Sequence, residues 1–262
     1  MRPGAGELEK ALRAGRDAGR KLLVPYVTGG MTPDWLEVVQ AICAAGADAV
    51  EIGIPFSDPM IDGPTIQRAS VMALEGGATP VSILALLRRA DLSVPVAVMT
   101  YYNLVFRAGH RRFASSLVES GVAGAIVPDL PLEEAGPWCE EADGAGVETV
   151  LLVAPSTPSE RAERICARSR GFVYGVGVMG VTGERAQLAA SAAGVARRLK
   201  KMTDLPVCIG IGVSTVAQAT EVCAEADGVV VGSALVRRLI DGAGPDGAAQ
   251  FVAELRDGLD SA

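Results

Sequence analysis

Eight short apolar runs rich in Val and Ile, each followed by a helical stretch, predict a single-domain TIM (β/α)8 barrel with an extra N-terminal helix. The runs are continuous rather than alternating, as in parallel strands buried on both faces. The segments between them carry apolar residues three and four apart. Eight such units in 262 residues match the size and count of a closed barrel. A doubly wound open sheet is the alternative topology, but no GxGxxG follows the first run. No linker divides the chain, which reads as one domain over residues 1–262.

Residues 5–19 form a charged amphipathic helix expected to cap the barrel floor. The first run, 22–27, leads through Gly29-Gly30 to a helix begun near Pro33 that carries Trp35, Val38, Val39 and Ile42. Run 47–52 is followed by a helix after Asp62 and by a second at 81–90, where Thr79 suits the cap and Pro80 the first turn. Run 94–99 precedes a helix at 112–119, and run 124–127 ends in Pro128-Asp129 before a helix beginning near Pro131. Run 147–153 passes into a helix at 159–167, with Thr157-Pro158 or Ser159 as its start signal. Run 171–176 is trailed by a Gly-rich loop, GVGVMGVTGERAQ, and a helix at 192–201. Runs 206–211 and 227–231 each precede a helix, and 246–259 forms a final outer one.

Composition excludes several function classes. The net charge is -7 and basic residues fall in scattered pairs such as Arg88-Arg89 and Arg237-Arg238, without the clustered stripe that nucleic acid requires. Five cysteines, an odd number with no CxxC pair, each lie in an apolar segment and are expected to be reduced core residues of a cytoplasmic protein. A single histidine, His110, leaves almost no material for a His-based metal site or a Ser-His-Asp triad, and it suits a helix start or the surface. The N-terminus is charged and helical, unlike a signal peptide. No run approaches the ~20 apolar residues of a membrane span.

The chemistry concentrates in residues 49–67, AVEIGIPFSDPMIDGPTIQ. Glu51 sits inside an apolar run, where an ionisable group needs a partner or a task. At the C-terminal mouth of a barrel, burial would raise its pKa and suit it to proton transfer; a carboxylate satisfied by backbone donors or a basic partner is the alternative. Asp62 precedes Gly63-Pro64 and serves either as a turn or cap residue or as a second functional acid. Tyr101, Asp129, Tyr174, Thr182, Gly212 and Ser233 also fall at strand ends. Tyr174 offers a phenol to the site or only fills the barrel. The turn Gly210-Ile211-Gly212-Val213-Ser214 and the junction Gly232-Ser233 either cradle a phosphate at a helix N-terminus or simply allow tight turns. The loop 177–187 has the length of a lid, or is a plain connection.

Taken together, EIGIPFSDPMIDGPTIQ, GFVYGVGVMGVTG, GIGVS and VGSALV closely resemble the tryptophan synthase alpha chain family, and VPYVTGG and TYYNLVF extend the similarity over nearly the whole chain. The PFSDP-x-x-DGP-x-I-Q string is highly specific to that family. The resemblance implies retro-aldol cleavage of indole-3-glycerol phosphate to indole and glyceraldehyde 3-phosphate, for tryptophan biosynthesis. By resemblance Glu51 is the acid-base group, Asp62 accepts a hydrogen bond from the indole N–H, and Tyr174 lies near the glycerol chain. Thr182 matches a lid threonine reaching toward that aspartate. Gly183, Gly212, Gly232 and Ser233 match the phosphate cradle, and Tyr26, Met99 and Ile126 the indole pocket. The family needs no cofactor of its own. Pyridoxal phosphate belongs to its partner, a beta chain that completes an alpha2beta2 heterotetramer and that would dock here on Pro55–Pro59 and Asn103–Arg107, with Ile54-Pro55-Phe56 expected to be exposed.

Three positions depart from the family pattern. Ile61 stands where many members have Ala, Ile211 where many have Phe, and Gly177-Val178 where some have Ser-Arg. None removes a proposed catalytic group. Two other readings stay open: a free-standing indole-3-glycerol phosphate lyase, to which Ile61 gives some weight, and a non-catalytic barrel that binds a phosphorylated ligand and regulates a partner.

Overall fold

The computed structural model describes residues 4–177, 185–210 and 212–262. Eight parallel strands close into a barrel in sequential order: β1 (Leu22–Thr28), β2 (Val50–Gly53), β3 (Val96–Met99), β4 (Val122–Ile126), β5 (Glu148–Val153), β6 (Val173–Val176), β7 (Val207–Gly210) and β8 (Gly228–Val231). Closure is made where β1 pairs with β8, Leu22 opposite Gly228 and Pro25 opposite Val231.

Strand periodicity divides the apolar residues into two cores. One set, Leu22, Val24, Ala49, Ala97, Ile126, Val150, Phe172, Cys208 and Val230, fills the barrel with Leu8 and Leu12. The alternate set, including Leu23, Val27, Val50, Ile52, Val98 and Val229, packs outward under the helices. Both faces of each strand are therefore buried, which explains the unbroken apolar runs.

Helix α1 (Glu7–Asp17) plugs the barrel floor as expected. Its first turn is held by the buried Glu148 carboxylate, which accepts from Leu8 N at 2.8 Å and Glu9 N at 3.0 Å. A carboxylate at that end of a helix also meets the positive end of its dipole. A Cβ at Gly124 would come within 2.7 Å of Leu8 Cδ2, so the small residue makes room for the plug.

The outer helices include α2 (Trp35–Ala44), α3 (Pro64–Glu75), α4 (Pro80–Leu87), α5 (Tyr102–Ala108), α6 (His110–Glu119), α7 (Gly136–Ala145), α8 (Ser159–Arg168), α9 (Arg185–Lys200), α10 (Val216–Cys223), α11 (Ser233–Ile240) and α12 (Gly244–Asp260). Thr79 caps α4 in a reciprocal pair with Ser82, as its position before Pro80 predicts. All five cysteines are buried and free. Among the described residues no single helix is long and apolar enough to cross a membrane.

Four boundaries differ from the sequence reading. Helix α5 was not anticipated, because its cap comes from elsewhere: the Asp129 carboxylate accepts from Tyr102 N at 2.8 and 3.1 Å across 27 residues of sequence. Gly109, at φ 84°, then separates α5 from α6, which starts at His110 rather than 112. Pro131 opens a turn closed by Glu134 N on Pro131 O, and α7 begins only at Gly136, with Pro137 in its first turn. Helix α8 does start at Ser159, one of its two expected signals, while the Thr157 hydroxyl accepts from Ala154 N. Helix α9 starts at Arg185, not 192, in line with the helix-forming residues that follow Glu184.

Candidate active site

The C-terminal mouth of the barrel opens into a cavity of about 460 Å³, within the ~300–1,000 Å³ usual for small-molecule sites. Tyr26, Glu51, Asp62, Met99, Tyr174, Gly212, Gly232 and Ser233, all singled out in the sequence, line it together. Ile61, Ile66, Val176 and Val230 complete much of its apolar wall.

Glu51 comes from β2, one strand pitch above Ala49 on the inward face. It is 1% exposed, and its Oε2 has no hydrogen-bond partner among the described residues. Neither alternative for a quiet buried carboxylate, backbone donors or a basic partner, is present at that oxygen. Burial, followed by the nearby charge of Asp62, pushes its pKa up to about 8. A carboxyl in this state holds its proton at neutral pH and can still release it.

Asp62 is carried to the cavity by the loop between β2 and α3, where Asp62 N bonds Pro59 O at 3.2 Å and Gln67 Nε2 bonds Asp62 O at 2.9 Å. The α3 N-cap is Gly63, and Asp62 makes no cap bond to that helix, which leaves its carboxylate to the cavity. Burial pushes its pKa up, opposed by the Tyr101 hydroxyl, which donates to Oδ2 at 3.1 Å. The two acids thus occupy unlike environments, one bare and one hydrogen-bonded, the arrangement that separates acid and anion roles.

Two tyrosines lean over the mouth, each lying over a glycine on the neighbouring strand. A Cβ at Gly53 would overlap the Tyr26 hydroxyl, and one at Gly210 would overlap that of Tyr174. Tyr26 is the register partner of Glu51, and its hydroxyl bonds Thr28 Oγ1 at 3.2 Å. Burial keeps both phenols protonated. Met99 lines the cavity, whereas Ile126, opposite it in register, is fully buried in the barrel interior and is not part of the lining.

The opposite wall is made by glycines and a helix start. Gly177, Gly210, Gly212, Gly232 and Ser233 expose backbone there. Of the two helices that follow β7 and β8, α10 is satisfied locally: Thr215 accepts from Gln218 N, and Ser214 N bonds Gln218 Oε1. Helix α11, starting at Ser233 after Gly232, has no side-chain cap. Its first N–H groups and dipole are available to an anion in the cavity.

Thr182, Gly183, Val178 and Ile211 lie outside the described residues, as does most of the expected lid. Asp129 is used as the α5 cap. Among the described residues no cluster of three or more His, Cys, Asp or Glu side chains is placed to hold a metal. His110 starts α6, and its ring bonds the Tyr102 hydroxyl at 3.0 Å. Tyr101 had no assigned role in the sequence reading. Its link to Asp62 spans 39 residues and carries no local signature beyond a strand-end position.

The expectation of an exposed Ile54-Pro55-Phe56 is corrected. Ile54 and Pro55 are buried, and Phe56 is half-buried with its ring stacked on Tyr101 at 5.0 Å. Apolar surface appears instead at Met60 (90% exposed), Ile61 (55%) and Phe106 (65%), because the loop turns its first apolar residues in against the β3 end.

The chain matches the family model described as tryptophan synthase alpha chain over residues 12–258. A relative from Streptomyces coelicolor, named tryptophan synthase alpha chain, is 44% identical over 260 residues, covering 96% of each chain. One of the same name from Synechococcus is 45% identical over 251 residues, 92% of this chain and 93% of the other. Among solved structures, a chain of Mycobacterium tuberculosis tryptophan synthase superposes with a TM-score of 0.90 at 37% identity, covering 98% of this chain and 99% of that one. The tryptophan synthase subunit alpha from Legionella pneumophila gives 0.89 at 30% identity, covering 99% and 100%. With a barrel mouth that pairs two unlike carboxylates with an anion-ready helix end, and with similarity along its full length, this chain belongs to the tryptophan synthase alpha chain family.

Proposed function

We propose that this chain is a carbon-carbon lyase that cleaves indole-3-glycerol phosphate to indole and glyceraldehyde 3-phosphate, acting as the alpha subunit of tryptophan synthase. The observation that carries this is the placement of Glu51 and Asp62 in one cavity whose far wall is the uncapped start of α11. A substrate with a heteroaromatic ring at one end and a phosphate at the other spans such a site.

The phosphate sits on the N–H groups of the α11 first turn and on Gly212, Gly232 and Ser233, and the family resemblance assigns Gly183 to the same role. The ring lies toward Asp62, against Met99, Tyr26 and Ile61, with Ile126 supporting the wall. Protonated Glu51 delivers its proton to ring carbon C3, and the ring nitrogen takes up positive charge. Asp62, as a carboxylate, accepts the indole N–H and stabilises that charge. Glu51, now ionised, removes the proton of the adjacent glycerol hydroxyl. The C–O bond becomes a carbonyl, the C–C bond breaks, and its electron pair returns to the ring to neutralise the nitrogen. Glu51 ends protonated, ready for another cycle. Tyr174 packs beside the glycerol chain, and the family resemblance gives Thr182 the role of the threonine that reaches toward this aspartate.

Each step moves only protons and electron pairs of the substrate, so the alpha chain calls on no cofactor; pyridoxal phosphate is assigned to the beta chain. Exposed Met60 and Ile61 follow one segment proposed for docking, Pro55–Pro59, and exposed Phe106 lies within the other, Asn103–Arg107; apolar surface of this kind favours an assembled alpha2beta2 enzyme over a free-standing lyase. Steady-state cleavage with and without a beta chain tests the assignment. Indole formation that a beta chain accelerates is expected; fast cleavage that it leaves unchanged would favour the free-standing enzyme, and no cleavage under either condition would overturn the reaction.

A further inference from the structure

We propose that Tyr101 is a positioning residue that aims the Asp62 carboxylate and holds it as an acceptor, through a hydroxyl that bridges the Ile61 backbone N–H and Asp62 Oδ2. The proposal rests on the role given to Asp62 above and deepens it.

The bridge has defined proton bookkeeping. Ile61 N donates to the Tyr101 oxygen at 3.2 Å, and that oxygen lies 3.1 Å from Asp62 Oδ2. A phenol has one proton. With a lone pair engaged by the Ile61 N–H, the proton is directed to Asp62, whose oxygen must present a lone pair in return. An ionised carboxylate meets that demand, and it is the state needed to accept an indole N–H through its other oxygen.

The ring that carries this hydroxyl is anchored on three sides. Phe56 stacks on it at 5.0 Å with an interplanar angle of 22°. The backbone of Tyr101 is the N-cap of α5, and the following N–H is held by both oxygens of Asp129. The Ile61 N–H holds the hydroxyl end. Tyr101 does not line the cavity, so it reaches the substrate only through Asp62. The other titratable groups facing Asp62 are Glu51 from β2, Tyr26 from β1 and Tyr174 from β6. None of these makes a hydrogen bond to Asp62 in the described structure, which leaves Tyr101 as its side-chain donor.

Tyr101→Phe keeps the ring and its stack on Phe56 while removing the bridge. Two measurements read the result: a carbon-13 NMR titration of the Asp62 carboxyl, and the pH dependence of indole release by the same chain. The expected outcome is a titration midpoint at higher pH for Asp62, with kcat down roughly tenfold, about the worth of one charge-assisted hydrogen bond. KM for indole-3-glycerol phosphate stays within about twofold, and the acid limb of the rate profile moves up while the alkaline limb stays. In a D62N background the same change should cost nothing further. An unmoved Asp62 midpoint would overturn the proposal, as would an equal loss in the D62N background. If the wild-type chain cleaves no substrate, the reaction assignment fails while the carboxyl titration still decides whether Tyr101 holds Asp62.

Discussion

Gly210 on β7 lies so close beneath the phenol of Tyr174 on β6 that a Cβ at position 210 would overlap the Tyr174 hydroxyl. The glycine is what allows the tyrosine to lean over the barrel mouth, and Gly53 does the same for Tyr26. Gly210→Ala is therefore expected to displace the Tyr174 ring, to destabilise the fold by about 1–3 kcal/mol as overpacking does, and to lower turnover at least tenfold or so. Thermal unfolding and steady-state kinetics check both effects, and unchanged kinetics would separate Tyr174 from the reaction.

Glu51 sets an alkaline limit. Its folded-state pKa, about 8, lies above the ordinary 4.5, so the folded chain binds the extra proton between those values. The stability this gives is fully present below about pH 4.5 and is lost as pH rises through 8, by a sum on the order of 5 kcal/mol. The melting temperature of the wild type should accordingly fall between pH 6 and pH 9, whereas that of Glu51→Gln stays flat by comparison. Cleavage by the same variant should drop by roughly 10²–10⁴-fold with substrate binding retained. A Gln variant that turns over normally would remove Glu51 from proton transfer.

In the proposed reaction Asp62 stabilises charge rather than moving a proton. Asp62→Asn keeps the shape and the capacity to meet Tyr101, but loses the negative charge opposite the ring nitrogen. We expect kcat to fall about 10²–10³-fold with a milder rise in KM. An undiminished rate would leave the indole N–H without its assigned partner.

Ser233 begins the helix whose N-terminus is given to the phosphate. Ser233→Asp places a carboxylate at that position, where it takes the N–H groups itself and repels the dianion. KM for indole-3-glycerol phosphate should rise about tenfold or more while the melting temperature holds or increases. Equal KM values for the two chains would move the phosphate elsewhere.

Phe106 on α5 is 65% exposed and touches no part of the cavity. Phe106→Asp should leave cleavage by the isolated chain within about twofold of wild type and abolish its acceleration by a beta chain. Acceleration that survives the substitution would place the docking surface away from α5.

The architecture was legible in the sequence because barrel strands buried on both faces are apolar at most positions, and the intervening helices show their own period. Glu51 was legible for the same reason in reverse: a carboxylate inside such a run is conspicuous. Asp62 and the glycine turns became specific only through the resemblance of whole strings such as PFSDPMIDGP. Tertiary structure decided what depends on partners far apart in the chain. Asp129 makes a helix of Tyr102–Ala108 by capping it from the loop after β4, and Tyr101 reaches Asp62 across 39 residues. Ile54 and Phe56 turn inward while Met60 and Phe106 face out. The residues named from sequence alone announce themselves by a local conflict, such as a charge among apolar neighbours. A cap, a bridge or a stacked ring supplied from another strand creates no local conflict, and its existence is settled only when barrel closure brings the two segments together.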